Sequence, residues 1–323
     1  MNKHEPIPLE EIRAAQRRIK DTIVRTPLVK LNVDDAPAEI YLKLENLQPI
    51  GSFKIRGASN AMKKAKPEEL KDGVWTVSTG NHGQGVAWNA RKLGIDCTII
   101  APKNADQAKI NAMERLGATI RKGPPFSSEH MEGFFDPNSY PDMKGLFIHP
   151  FNNPTVMAGQ GTIGLEILED LPDVDSVITP WGGGGLSCGV ASAIRALKPE
   201  TKLYGSEPET AAALAASFTA DKAVKVDYTP SFIDSAGAAL VWNEMWIRAK
   251  ELLDGSLVVG IEETASAIRL LAERNKIIVE GAGALSVAAA LTGKAGTGKV
   301  VCIISGGSID FDKLVKIFQG KVP

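Results

Sequence analysis

Short β-prone runs alternate with helical stretches of about ten residues along most of this chain, and that alternation leaves few folds open. Gly73 to Val77, Asp96 to Ala101 and Thr119 to Arg121 read as strands. Between them, Gly83 to Leu93 and Ala105 to Leu116 read as helices closed by Gly94 and Gly117. A helix between two strands is the crossover that parallel pairing requires. The rhythm resumes later, with strands over Val174 to Thr179, Thr201 to Ser206 and Lys299 to Ile304. Helices are predicted over Gly159 to Glu169, Ser187 to Ala196, Asn243 to Leu253, Ile261 to Glu273 and Gly283 to Leu291. Earlier, Pro8 to Ile23 and Lys54 to Lys66 have helical spacing, and Glu39 to Leu44 is strand-like. The expectation is an α/β protein of two interleaved domains, each a mostly parallel twisted sheet flanked by helices. Residues 1–50 and 151–323 would form a large domain and residues 51–150 a small one.

At 323 residues and 44% hydrophobic content the chain can bury a substantial core. A net charge of -1 gives no reason to expect nucleic acid or an anionic membrane as partner. No apolar run approaches the roughly 20 residues that span a bilayer. The polar, proline-containing start from Met1 to Glu10 does not read as a signal peptide. Cys97, Cys188 and Cys302 lie far apart, which suits buried thiols in a reducing compartment. A cytoplasmic protein is expected.

Three turns interrupt the α/β grammar at places where such folds collect ligands. Gly182-Gly183-Gly184-Gly185-Leu186 lies between a strand and a helix, where bare N–H groups and the helix dipole suit a phosphate. A structural turn or a dinucleotide fingerprint would be rival readings, since Glu207 follows about twenty residues later. In the fingerprint register, however, Ser187 or Cys188 stands where the third glycine belongs. Ser78-Thr79-Gly80-Asn81-His82-Gly83-Gln84 offers hydroxyls, an amide and close-set backbone donors that can hold a carboxylate. His82 alone reads more readily as a hydrogen-bonded structural residue than as a catalyst. In Gly51-Ser52-Phe53-Lys54-Ile55-Arg56-Gly57, Lys54 sits beside an aromatic ring at a helix start, where desolvation favours the neutral amine that a Schiff base requires.

The run from Glu45 to Ala58 resembles the cofactor-lysine signature of the serine/threonine dehydratase and serine racemase family, fold type II pyridoxal-phosphate (PLP) enzymes. The Ser78 to Gln84 turn, the glycine run, Glu280-Gly281-Ala282-Gly283 and Ser305-Gly306-Gly307 occur in the family's order and at similar spacing, so the resemblance covers nearly the whole chain. It implies that Lys54 is joined to the cofactor and moves the Cα proton, with Phe53 packed against the ring. It also implies that Gly182, Gly183, Gly184, Gly185 and Leu186 bind the phosphate and that Asn81 meets the ring hydroxyl. Ser78, Thr79, Gly80, Asn81 and His82 would grip the substrate carboxylate. Gly237 would border the ring, and Ser305 would meet the pyridine nitrogen. A hydroxyl there leaves the nitrogen largely neutral, a weaker electron sink that favours prompt β-elimination over transamination. The implied activity is dehydration of a β-hydroxy amino acid, of the threonine, serine or phenylserine type, to a 2-oxo acid and ammonia by a homodimer.

The pattern departs from the family in three places. Racemising members carry serine as the opposite-face acid/base where this chain has Thr79, a stiffer hydroxyl, so dehydration is preferred over racemisation. The family's divalent-metal site pairs the equivalent of Glu207 with a second acid six residues on, where this chain has Ala213, and no metal is expected. Gly123 to Gly145 has lost periodicity and holds four prolines, three phenylalanines and a tyrosine. It reads either as a loop packing its own aromatics or as a pocket wall for a bulky or aryl β-substituent. The short stretch after Gly307 leads to the expectation of no appended regulatory domain. An NAD-dependent oxidoreductase and a non-catalytic binding protein are the readings from other classes.

Overall fold

The computed structural model describes residues 5–78, 80–105, 107–124 and 131–323, the Glu132 side chain excepted. Its strands are β1 (Leu28–Lys30), β2 (Glu39–Lys43), β3 (Val74–Val77), β4 (Cys97–Pro102), β5 (Thr119–Gly123), β6 (Leu146–Phe147), β7 (Ser176–Pro180), β8 (Lys202–Pro208), β9 (Gly255–Val259) and β10 (Lys299–Ile303). They form a six-stranded sheet in the order β1-β2-β10-β7-β8-β9 and a four-stranded sheet in the order β5-β4-β3-β6. Every neighbouring pair is parallel except β1 with β2. The chain starts in the larger sheet, crosses to the smaller after β2 and returns with β7. This is the α/β architecture that the alternation predicts.

Parallel strands covered by helices on both faces read as continuous apolar runs, and all residues of β3 and β7 are buried. Two large cores lie on the faces of the larger sheet, and a third joins the smaller sheet to its helices. Cys97, Cys188 and Cys302 are buried free thiols. No helix of the described residues is long and apolar enough to cross a membrane.

Some boundaries differ from the sequence reading. The helix predicted from Gly159 begins at Pro154, because the Asn153 side chain accepts from the N–H groups of Thr155 (2.8 Å) and Val156 (3.1 Å) and proline suits the first helical position. The helix predicted to reach Glu273 ends at Leu270 and continues as a π-turn over Leu271–Asn275. Strand β9 and the helices Ala213–Ala220 and Phe311–Phe318 had no predicted counterpart. Gly255 and Ser256 dilute the β pattern of β9, and the Ala213–Ala220 helix, rich in alanine, has almost no apolar stripe. The 123–145 segment carries a helical turn, Met131–Phe134, and a short 3-10 turn, Pro137–Ser139. Its Phe134 and Tyr140 are buried against Trp75. Pro125 and Phe126 lie outside the described residues.

The Lys54–Lys64 helix is seated by close helix packing. A Cβ on Gly57 would come within 2.4 Å of Gln160 Nε2, and one on Gly159 within 2.6 Å of the Arg56 carbonyl. These two glycines let the helix lie directly on Pro154–Asp170, which fixes where its first residue, Lys54, points.

Candidate active site

The loop after β10 is stitched to the segment before Lys54. Phe53 N–H donates to the Ser305 carbonyl (3.0 Å) and Gly307 N–H to the Gly51 carbonyl (2.9 Å). Lys54 and Ser305, 251 positions apart by their numbers (305 − 54), thereby line one cavity of about 360 Å³. Phe53, Ser78, Gly80, Asn81, His82, Gly182 to Leu186 and Gly237 line it as well. Thr79 lies outside the described residues. Every other residue assigned from the sequence to the cofactor or the substrate lines this one space.

Lys54 Nζ donates to the Pro150 carbonyl at 2.9 Å and lies 5.2 Å from the centroid of the Phe53 ring. Burial pulls its pKa down to about 8, with the Glu280 carboxyl acting in the opposite sense. Near neutrality far more of this amine is neutral and nucleophilic than of an ordinary lysine, as desolvation at this helix start predicts.

The glycine run leads from β7 into the Gly185–Leu197 helix, whose first-turn N–H groups have no intrahelical partner. Packing behind the loop, rather than ligand approach alone, explains the glycines. A Cβ on Gly183 would strike the Phe151 ring at 2.3 Å, and one on Gly184, at φ +85°, the Trp181 ring at 2.4 Å. Gly185 is closed off by the Phe151 backbone at 2.8 Å. Gly237 N–H donates to the Trp181 carbonyl at 2.7 Å, which ties a second loop to the same corner.

On the opposite wall Ser78 Oγ accepts from the N–H groups of Gly80 (3.1 Å) and Gly83 (2.9 Å), so its oxygen shapes the turn that opens the Asn81–Leu93 helix. His82 Nε2 is 2.9 Å from the Ile148 carbonyl, which can only accept, so that nitrogen carries the proton. Burial, then the Lys54 charge, lower the His82 pKa to about 3 and keep the ring neutral. Asn81 Nδ2 donates to Glu280 Oε1 at 2.7 Å, while Glu280 Oε2 is buried without a hydrogen-bond partner. Burial, reinforced by Asp234, raises the Glu280 carboxyl to about 8 against the pull of Lys109, Asn81 and Lys54.

Glu280, Asp234 and Lys109 had no role in the sequence reading, although Glu280 opens a motif quoted there and Asp234 lies three residues before Gly237. At the cavity Lys109 Nζ pairs with Asp234, and Lys313 Nζ is 3.9 Å from the same carboxylate. Glu207 is elsewhere. Its carboxylate accepts from the N–H groups of Leu214 (2.8 Å) and Ala215 (2.9 Å) and from Ser256 Oγ (2.7 Å). It thus caps the helix that Ala213 opens, and its desolvated carboxyl is raised to about 7.

A partly neutral buried lysine, a glycine turn at a helix start and a hydroxyl across the cavity fit an aldehyde cofactor with a phosphate tail. The space is also within the usual range for a bound small molecule. Residues 19–306 match the family model of pyridoxal-phosphate dependent enzymes, and the chain belongs to that family. It is 42% identical to an L-threonine ammonia-lyase of Thermotoga maritima over 97% of this chain and 78% of that protein. It is 38% identical to the catabolic L-threonine dehydratase TdcB of Escherichia coli K12, over 97% of this chain and 96% of that one. Among solved structures, maize serine racemase superposes with a TM-score of 0.89 at 32% identity, covering 97% of each chain. The processed threonine deaminase isoform 2 of Solanum lycopersicum gives 0.85 at 33% identity, covering 97% of this chain and 86% of that one.

Proposed function

We propose that the protein is a PLP-dependent dehydratase that converts a β-hydroxy amino acid to a 2-oxo acid and ammonia. The observation that carries this reading is the Lys54 amine, buried in the cavity and lowered to about 8. Relatives named threonine ammonia-lyase and threonine dehydratase support it.

When bound, PLP withdraws electrons from the substrate Cα. The chain's own residues supply the rest. Backbone donors of Gly182 to Leu186 would hold the phosphate at the helix start, and Lys54 would be the covalent anchor. Lys54, whose lowered pKa leaves part of its amine neutral near pH 7, would take the Cα proton. Phe53 and Gly237 would border the ring, and Asn81, oriented by Glu280, would meet the ring hydroxyl. Ser305 would offer the ring nitrogen a hydroxyl without a counter-charge, which would favour quick departure of the β-hydroxyl. Ser78 to His82, Thr79 among them, would receive the substrate carboxylate, the helix opening at Asn81. We assign residues 1–50 and 151–323 to a large cofactor-binding domain and 51–150 to a small one, in a cytoplasmic homodimer.

The test is borohydride reduction of purified protein with peptide mass mapping, paired with 2-oxo acid release from serine and threonine. Cofactor mass on Lys54 together with keto-acid formation is expected. Label on another lysine, or inversion at Cα without keto acid, overturns the reading.

A further inference from the structure

A β-hydroxy amino acid must place a carboxylate, an amine and the rest of its β-substituent. In the reading above, the first two go to the Ser78–His82 turn and to Lys54. The wall left for the third is apolar. Met131, Phe135, Tyr228, Ala238 and Trp242 line the cavity there. Met131 and Ala238 belong to one small buried cluster, against which Phe135, Tyr228 and Trp242 pack.

The aromatic surface begins beside the reactive amine. Pro150, whose carbonyl receives Lys54 Nζ, is followed by Phe151, and the Phe151 ring lies 4.7 Å from Trp242 and 5.3 Å from Phe135. Phe135 and Trp242 meet edge to face at 5.9 Å. Both are only half-buried, and both also line a second cavity of about 640 Å³. Space beyond them lets the wall yield to a group larger than methyl.

We infer that this wall is a subsite for an aryl or similarly large apolar β-substituent, and that 3-aryl-serines are preferred over threonine. The inference rests on the dehydratase reading. For phenylserine the Cα–H and Cβ–OH bonds break and water leaves. Hydrolysis of the released imine returns one water at Cα, giving phenylpyruvate and ammonia with no oxidant or reductant. Each further methylene-sized group that a hydrophobic pocket buries is worth about 10-fold or more in discrimination.

The experiment measures kcat/KM of the holoenzyme for threo-phenylserine and threonine, in wild type and in Phe135→Arg and Trp242→Ala. It is paired with fluorescence titration of the inert analogues phenylalanine and 2-aminobutyrate. Expected are a preference for phenylserine of about 10-fold or more and tighter binding of phenylalanine, with the specificity ratio falling about 10-fold in each folded variant. Threonine turned over as well as or better than phenylserine overturns the subsite and leaves the dehydratase reading standing. A ratio unmoved by both substitutions overturns the assignment of the wall. No keto acid from either substrate, with no borohydride label on Lys54, overturns both readings.

Discussion

Two groups of buried charge lie a single turn apart, and they behave oppositely. Arg56 is fully buried, and its guanidinium donates to Glu45 at 2.7 and 2.8 Å and to Glu166 at 2.6 and 2.9 Å. Lys43 Nζ adds a contact to Glu166 at 2.7 Å, so two cations face two carboxylates. Burial pushes the Glu45 carboxyl up, yet Arg56, Thr26 and Lys43 together hold it below its ordinary value. Two residues away, among the described residues Lys54 has only a carbonyl to donate to, and Glu280 keeps one oxygen unpartnered. There desolvation wins, and both groups are driven toward neutrality. Burial is common to both places; opposite charge within hydrogen-bond reach is not. The first group is a strut that joins β2, the Lys54–Lys64 helix and the Pro154–Asp170 helix, and the second is left reactive.

Substitution should separate the two most sharply at the lysine. Lys54→Ala removes the proposed anchor and base, and 2-oxo acid release should fall by at least about 10³-fold. No ion pair is broken, so urea unfolding of the cofactor-free variant should stay within about 1 kcal/mol of wild type. Arg56→Met should do the reverse. It leaves Glu45 and Glu166 buried without their shared cation, and the unfolding free energy should drop by about 3–5 kcal/mol. Stability lost with Lys54 and kept without Arg56 would reverse the assignment.

Both residues stand in the same short motif, and only one of them was legible as chemistry. A lysine beside Phe53 at a helix start, a glycine run after a strand and a polar helix-opening turn are residue types whose use is chemical wherever they fall. The alternation of strands and helices made the parallel sheets legible in the same way. Arg56 carried no signal, because its partners Glu45 and Glu166 lie 11 and 110 positions away and meet it only once two helices are packed. Glu280 was hidden for the opposite reason. Its character comes from burial with no cation hydrogen-bonded to it among the described residues, which no local pattern encodes. Thr155 and Val156 lie outside the predicted Gly159 helix because periodicity marks a buried stripe and not the capped first turn at Asn153.

A smaller effect tests the unpaired side directly. The Glu280 carboxyl is raised from 4.5 to about 8, so between those values the folded protein holds a proton that the unfolded chain has released. Stability must then fall as pH rises through that window, by about 1.4 kcal/mol per pH unit for a full proton. Glu280→Gln removes the titration while keeping an acceptor for Asn81. For cofactor-free protein, the stability of the variant minus that of wild type should therefore grow from pH 4.5 to about 8 and level off above it. Glu207, raised to about 7, adds a slope of the same sign, and His82 and His149, lowered to about 3 and 4, add the opposite sign. All three are present in both proteins, so the difference isolates Glu280. The strut has the other sign: with the Glu45 pKa lowered, its contribution is intact above 4.5 and is lost as pH falls further. A difference curve flat from 4.5 to 8 would mean that Glu280 is ionised and paired like Glu45, and the contrast between the two regions would disappear.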